Sequence, residues 1–213
     1  KANAYGHGVR EAVTALREIA DGYAVACLEE AEEVRLSAPD ARILLLEGCF
    51  EPAEYLRAAG LGLDVAIQDQ RQADWLLAAD LPRPLNVWLK LDSGMHRLGF
   101  TLQGLRECHA RLRGKAQVGE LNLISHFACA DERGHALTEL QLERYSELLA
   151  LEFDNCSLAN SAAVLTLPQA HMAWIRPGIM LYGATPFAEL SAQELGLRPV
   201  MTLTGALIAV RDV

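Results

Sequence analysis

The sequence predicts an α/β fold, a (β/α)8 barrel of the TIM type. Short β-type runs alternate with amphipathic helical stretches, the arrangement of parallel strands joined by crossover helices. The β runs are almost continuously apolar, as strands covered on both faces are. Seven such runs are present, and one more expected just ahead of Lys1 makes the eight that close a barrel.

The elements follow in order. The chain opens Lys-Ala-Asn-Ala-Tyr-Gly with no initiator Met and no signal-peptide pattern, so a strand is expected upstream of its first turn. Strands are expected at Gly22 to Cys27, Ile43 to Glu47, Leu63 to Ile67, Leu85 to Leu91, Glu120 to His126 and Cys156 to Asn160, with the runs around Trp174 to Tyr182 counted as a seventh. Helical periodicity fills the gaps at Val9 to Ala20, Glu29 to Ser37, Glu51 to Ala59, Gln68 to Ala79, Leu102 to Arg113 and Leu137 to Leu149. An open doubly wound sheet is the alternative, but no G-x-G-x-x-G turn follows any strand. Residues 1–198 are therefore read as the barrel. Met201 to Val213 begins a new β-like run with no partner strand, so 199–213 are expected to open a C-terminal β domain whose remainder the chain lacks.

Bulk properties narrow the function. The 213 residues can bury one large core. Apolar runs such as Ile43 to Leu46 fall far short of the ~20 residues a bilayer requires. With 19 Lys and Arg against 28 Asp and Glu, net charge −9, there is no broad basic field for nucleic acid or an anionic membrane, and any anion must be bound locally. Five scattered cysteines read as reduced thiols and a cytoplasmic protein. No metal is expected: His126, Cys129 and Asp131 lack a fourth ligand and a zinc-type spacing. Asn155-Cys156-Ser157 fits a glycosylation acceptor only formally, because it opens an apolar strand.

In a barrel the chemistry lies at the C-terminal strand ends. Polar residues there are Lys1, Tyr5 and His7; Asp92, Ser93, His96 and Arg97; Ser125, His126 and Asp131; Asn160 and Ser161; and Arg176, Gly178 and Tyr182. Asn160-Ser161 ahead of Ala-Ala-Val-Leu supplies a cap and free N–H groups, and Gly178-Ile179 lets backbone approach a ligand, together suiting a phosphate. Taken alone, an ordinary helix cap and a turn glycine look the same.

Five motifs in order bear on that choice. Lys1-Ala-Asn-Ala-Tyr-Gly-His-Gly8 resembles the cofactor-lysine signature of the alanine racemase family, whose cofactor is pyridoxal 5′-phosphate (PLP). Lys90-Leu-Asp-Ser-Gly-Met-His-Arg97, Ser125-His-Phe-Ala-Cys-Ala-Asp131, Asn160-Ser161 and Arg176-Pro-Gly-Ile-Met-Leu-Tyr-Gly183 resemble further motifs of that family, so the resemblance covers nearly the whole chain. It implies interconversion of L-alanine and D-alanine, the latter for the bacterial cell wall. Lys1 is implied to hold PLP covalently and to serve as one of two acid/base groups. Tyr5, Asn160, Ser161, Gly178 and Ile179 are implied around the phosphate, and His126 against the ring. Arg176 is implied at the pyridine nitrogen, where an always-charged donor disfavours a second positive charge. Arg97 is implied at the cofactor's phenolic oxygen and the substrate, and Lys90 matches a lysine that many members carry as a carbamate.

The resemblance also implies a homodimer in which a tyrosine of the other subunit's C-terminal domain is the second base. Without that domain the chain itself is expected to be inactive. A non-catalytic PLP-binding barrel and a serine or broad-specificity racemase are the alternatives. Related decarboxylases typically place a glutamate where Arg176 stands.

Overall fold

The computed structural model describes residues 1–212; Val213, the last residue of the expected C-terminal β run, lies outside them. Six parallel strands form one sheet in the order β1-β2-β3-β4-β5-β6: Gly22–Val25, Arg42–Leu45, Asp64–Ile67, Leu85–Lys90, Val118–Ile124 and Cys156–Ser157. Each neighbour pair is parallel, for example Val65 opposite Val87 and Leu89 opposite Leu123. Helices follow each strand on the outside: α3 (Leu28–Ser37), α4 (Glu54–Leu61), α5 (Gln70–Ala78), α6 (Leu102–Leu112), α7 (Ala136–Ser146) and the short α8 (Ser161–Thr166), with α2 (Val9–Leu16) ahead of β1.

Two apolar layers explain the assembly. Ile43, Leu45, Val65, Ile67, Val87 and Leu89 face the helices and join Leu28, Tyr55, Leu76, Leu105 and Tyr145 in one large core. Alternate residues on the other face, Leu44, Trp88 and Ile124, form a second cluster with Ala24, Leu46 and Trp174. This period-two split is what a strand dictates. The second face is concave, as contacts between distant strands show. Three strand spacings of about 4.8 Å separate β2 from β5 in a flat sheet, yet Arg42 pairs with both Asp64 and Glu120. The Arg42 guanidinium also lies 5.7 Å from the Trp88 ring and 5.2 Å from the Trp174 ring. The sheet is therefore curled into part of a barrel, with the polar group Arg42, Asp64, Asn86, Trp88, Glu120 and Asn155 filling its interior near the strand N-termini.

Six strands are observed where seven are expected. The Trp174 to Tyr182 position forms only an isolated bridge, Trp174 to Ser157, followed by a 3-10 helix at Ile179–Tyr182. Pro177 has no N–H to give a ladder, and the N–H groups of Gly178 and Met180 are turned onto the Ser161 hydroxyl instead. Strand β6 likewise stops at Ser157, short of the expected Asn160, because Asn160 caps α8. Beyond it, Phe187, Leu190 and Leu195 pack on the core, whereas residues 198–212 are exposed and carry no regular element.

Candidate active site

The chain enters the site through an unusual turn. Ala2, Asn3, Ala4 and Tyr5, the residues of α1 (Ala2–Tyr5), all have left-handed φ, between 48° and 57°. This conformation costs L-residues roughly 1–2 kcal/mol each, so its surroundings must hold it. The Asn3 side-chain oxygen accepts the Val9 N–H at 2.8 Å, and the Glu30 carboxylate accepts both the Ala2 and Ala26 N–H groups, at 2.6 and 2.8 Å. The result places the Lys1 amine 5.8 Å from the Tyr5 ring centre. Tyr5 in turn packs on Tyr182, which stacks on His7 at 4.4 Å.

Tyr5 leads to a cradle. A Cβ built on Gly178 would lie 2.5 Å from the Tyr5 hydroxyl and 3.9 Å from the Ser161 Oγ. Only glycine leaves that space open. The buried Ser161 hydroxyl accepts the Gly178 N–H at 2.8 Å, while Asn160 turns its side-chain oxygen onto the Ala163 N–H at 3.1 Å as the helix cap. Ile179 opens the 3-10 helix and is half-exposed. Hydroxyl and amide groups from three separate segments thus converge on one point.

Cations gather beside it. Burial, then Arg97 and Arg176, pull the Lys90 amine down to about 8, with Glu47 opposing. Burial, then Arg176, Arg97, Lys90 and Lys1, push the His126 imidazole down to about 3, so it is neutral at physiological pH. Burial lowers Arg176 as well, to about 10, which leaves it charged. Its guanidinium donates to the Ser157 hydroxyl and the Ser125 carbonyl, each at 2.5 Å, and one nitrogen lies 3.4 Å from the His126 Nδ1. Arg97 is exposed at the tip of the loop after β4. That loop is closed by Gly99 at φ 126°, where a Cβ would come within 2.6 Å of the Asp92 N. In a chain of net charge −9, four cations at one rim make a local anion site.

A family model described as alanine racemase, N-terminal domain, matches residues 1–186. The chain belongs to this family. It is 87% identical over its whole length to the alanine racemase of Stutzerimonas stutzeri and 67% identical to the biosynthetic alanine racemase of Pseudomonas aeruginosa, and it spans 60% of the length of each. Among solved structures, the biosynthetic alanine racemase of Pseudomonas aeruginosa superposes with a TM-score of 0.91 at 69% identity, covering 93% of this chain and 55% of that one. The alanine racemase of Acinetobacter baumannii does so at 0.90 and 36%, covering all of this chain and 63% of that one. The partial barrel is thus the alanine racemase barrel fold.

Several residues that build the site escape sequence reasoning. Glu30 clasps the Lys1 turn from the outer helix α3. Ser157 holds Arg176. Gln141, fully buried on α7, bonds to the loops after β4 and β5. Gln141 did leave a signal: it is a polar residue in the stripe Thr138, Gln141, Tyr145 and Leu148, at the helix spacing of a buried face.

Proposed function

We propose that this chain is the cofactor-binding part of a PLP enzyme that interconverts L-alanine and D-alanine. The observation that carries the reading is the meeting of Lys1, His126 and Arg176 with the Tyr5, Ser161 and Gly178 cradle at one end of the barrel. The donor set fits PLP. A phosphate needs hydroxyl and backbone donors around an open space, and the cradle is built of these. A pyridine nitrogen without a proton needs a permanent donor, and Arg176 is one. When bound, PLP supplies the electron sink that makes the Cα–H of an amino acid acidic.

The rest falls to the protein. Tyr5, Ser161 and the Gly178 and Ile179 backbone orient the phosphate end, beside the Asn160 cap. His126, neutral and without charge of its own to compete, backs the ring. Arg176 donates to the ring nitrogen and keeps a proton off it. Arg97 faces the substrate carboxylate region, and a carbamate on Lys90 would give Arg97 an anion to lean on. Lys1 holds the cofactor and moves the Cα proton on its own side. A tyrosine of a second subunit serves the opposite side, so the working unit is a homodimer. We place residues 1–198 in the barrel and take 199–213 as the start of a further domain. The reading extends to a cytoplasmic enzyme supplying D-alanine for peptidoglycan; all five cysteines are free, and no helix among the described residues is long and apolar enough to cross a membrane.

The test uses the full-length protein that carries this chain. It should convert L-alanine to D-alanine in the presence of PLP, and borohydride should fix PLP on the Lys1 peptide. Label on another lysine, or no turnover, sinks the reading.

A further inference from the structure

We propose that Gln141 is a positioning residue of this site: from the outer helix α7 it sets the loop after β5, and with it the placement of His126 and Arg176. The inference rests on the PLP reading above and goes beyond it, since Gln141 touches neither the cradle nor Lys1.

A primary amide is costly to bury unless its donors and acceptor are matched. Gln141 has no exposed surface, and its side chain is matched on both sides. The Oε1 accepts the Ala128 N–H at 2.9 Å, while the Nε2 donates to the His126 carbonyl at 3.0 Å and to the Ser93 Oγ at 2.9 Å. The two backbone bonds flank Phe127, so the His126 to Ala128 segment is held at two points. Ser93 passes the constraint on: its hydroxyl lies 2.9 Å from the Ser125 Oγ, which donates to the Leu91 carbonyl at 2.8 Å. Arg144, one turn further along α7, donates to the Ser93 carbonyl at 2.9 Å.

The consequence reaches the site through the backbone. Ser125 offers its carbonyl to Arg176, and the next residue is His126 itself. Their shared segment has its direction fixed by Gln141, so a change at 141 moves the two ring-facing groups together. Only an amide combines donor and acceptor in one plane of this size. Gln141→Glu keeps the shape but sets a carboxylate against the His126 carbonyl, and Gln141→Met leaves both backbone groups without partners.

In the full-length protein stripped of cofactor, PLP is titrated by absorbance into the wild type, Gln141→Glu, Gln141→Met and the milder Ser93→Ala, with exposed Gln103→Met as control. The Gln141 variants should bind PLP roughly tenfold or more weakly, the loss of about one net hydrogen bond at the site. The absorbance maximum of the PLP that does bind should shift, because Arg176 and His126 meet the ring differently. Ser93→Ala, which keeps both backbone bonds, should shift both in the same direction by less, and Gln103→Met should shift neither. A purely structural Gln141 would lower the melting midpoint while leaving affinity and spectrum of the folded protein at wild-type values, which overturns the proposal. Should the Gln141 variants fail to fold, wild-type affinity and spectrum in Ser93→Ala overturn it equally. A wild type that takes up no PLP at all defeats the cofactor reading and this inference together.

Discussion

Acid should unfold this protein partly through one residue, His126. Its imidazole titrates at about 3 in the folded chain against 6.5 ordinarily, burial being the main cause and the neighbouring cations the next. Between those values an unfolded chain holds a proton on this histidine that the folded chain does not. The unfolded state thus binds more protons, and stability falls as pH drops from about 6.5 to about 3. At about 1.4 kcal/mol per pH unit for one group, the loss reaches about 2 kcal/mol at pH 5 and roughly 3 kcal/mol at pH 4. These are upper values, because His126 keeps some contact with solvent. Replacing His126 with Asn removes the titrating group. Urea unfolding of the cofactor-free full-length protein, wild type and His126→Asn, should therefore show the wild type losing about 2 kcal/mol more than the variant between pH 7 and pH 5. Parallel losses, within about 0.5 kcal/mol, would mean that His126 takes up its proton in the folded state as easily as in water, and the cationic, desolvated site described above would be wrong.

Three further outcomes follow. Asp64→Ala removes a carboxylate, 3% exposed, that accepts from Arg42 Nε at 2.6 Å, Trp88 Nε1 at 2.8 Å and Asn86 Nδ2 at 3.1 Å; unfolding curves should show a loss of about 3–5 kcal/mol, and a loss under about 1 kcal/mol would deny the network a stabilising role. Gly178→Ala puts a Cβ 2.5 Å from the Tyr5 hydroxyl; since the far end of the tyrosine can swing away, the melting midpoint should hardly move while PLP affinity falls at least roughly tenfold, and unchanged affinity would locate the phosphate elsewhere. Lys90, with its amine near 8, is half neutral at that pH; carbon-13 bicarbonate should give a carbamate signal at pH 8 that fades below pH 7 and is missing in Lys90→Arg, whereas a signal indifferent to either change places the carbamate on another amine.

The alternation of elements was legible because the strands are mostly apolar, with polar residues such as Arg42, Asp64, Asn86 and Glu120 near their N-terminal ends, while the crossover helices between them are amphipathic. The expected helix Leu102 to Arg113 is observed at Leu102–Leu112, and the expected strand Leu85 to Leu91 at Leu85–Lys90. Trp174 to Tyr182 misled for a definable reason. Its apolar run looks like a strand, but Pro177 and the demand of Ser161 for backbone donors divert it. The left-handed turn at Ala2–Tyr5 was not legible, since of its four residues only Asn3 has any propensity for that conformation, and Ala2, Ala4 and Tyr5 have none. Glu30 and Asn3 impose it from outside.

By itself the sequence determined which segments become strands and helices, and which motif residues stand at the strand ends, because periodicity and local chemistry are properties of neighbours along the chain. Only the tertiary structure decided that Lys90, Arg97, His126 and Arg176 share one rim, that Tyr5 closes on Gly178, and that Gln141 grips the loop beneath His126. Those relations join residues far apart along the chain, Tyr5 with Gly178 across 173 positions and His126 with Arg176 across 50, or tie a loop to the helix that follows it. The curl of the sheet brings them together, and a buried amide or a lowered imidazole acquires its character only once water has been excluded from around it.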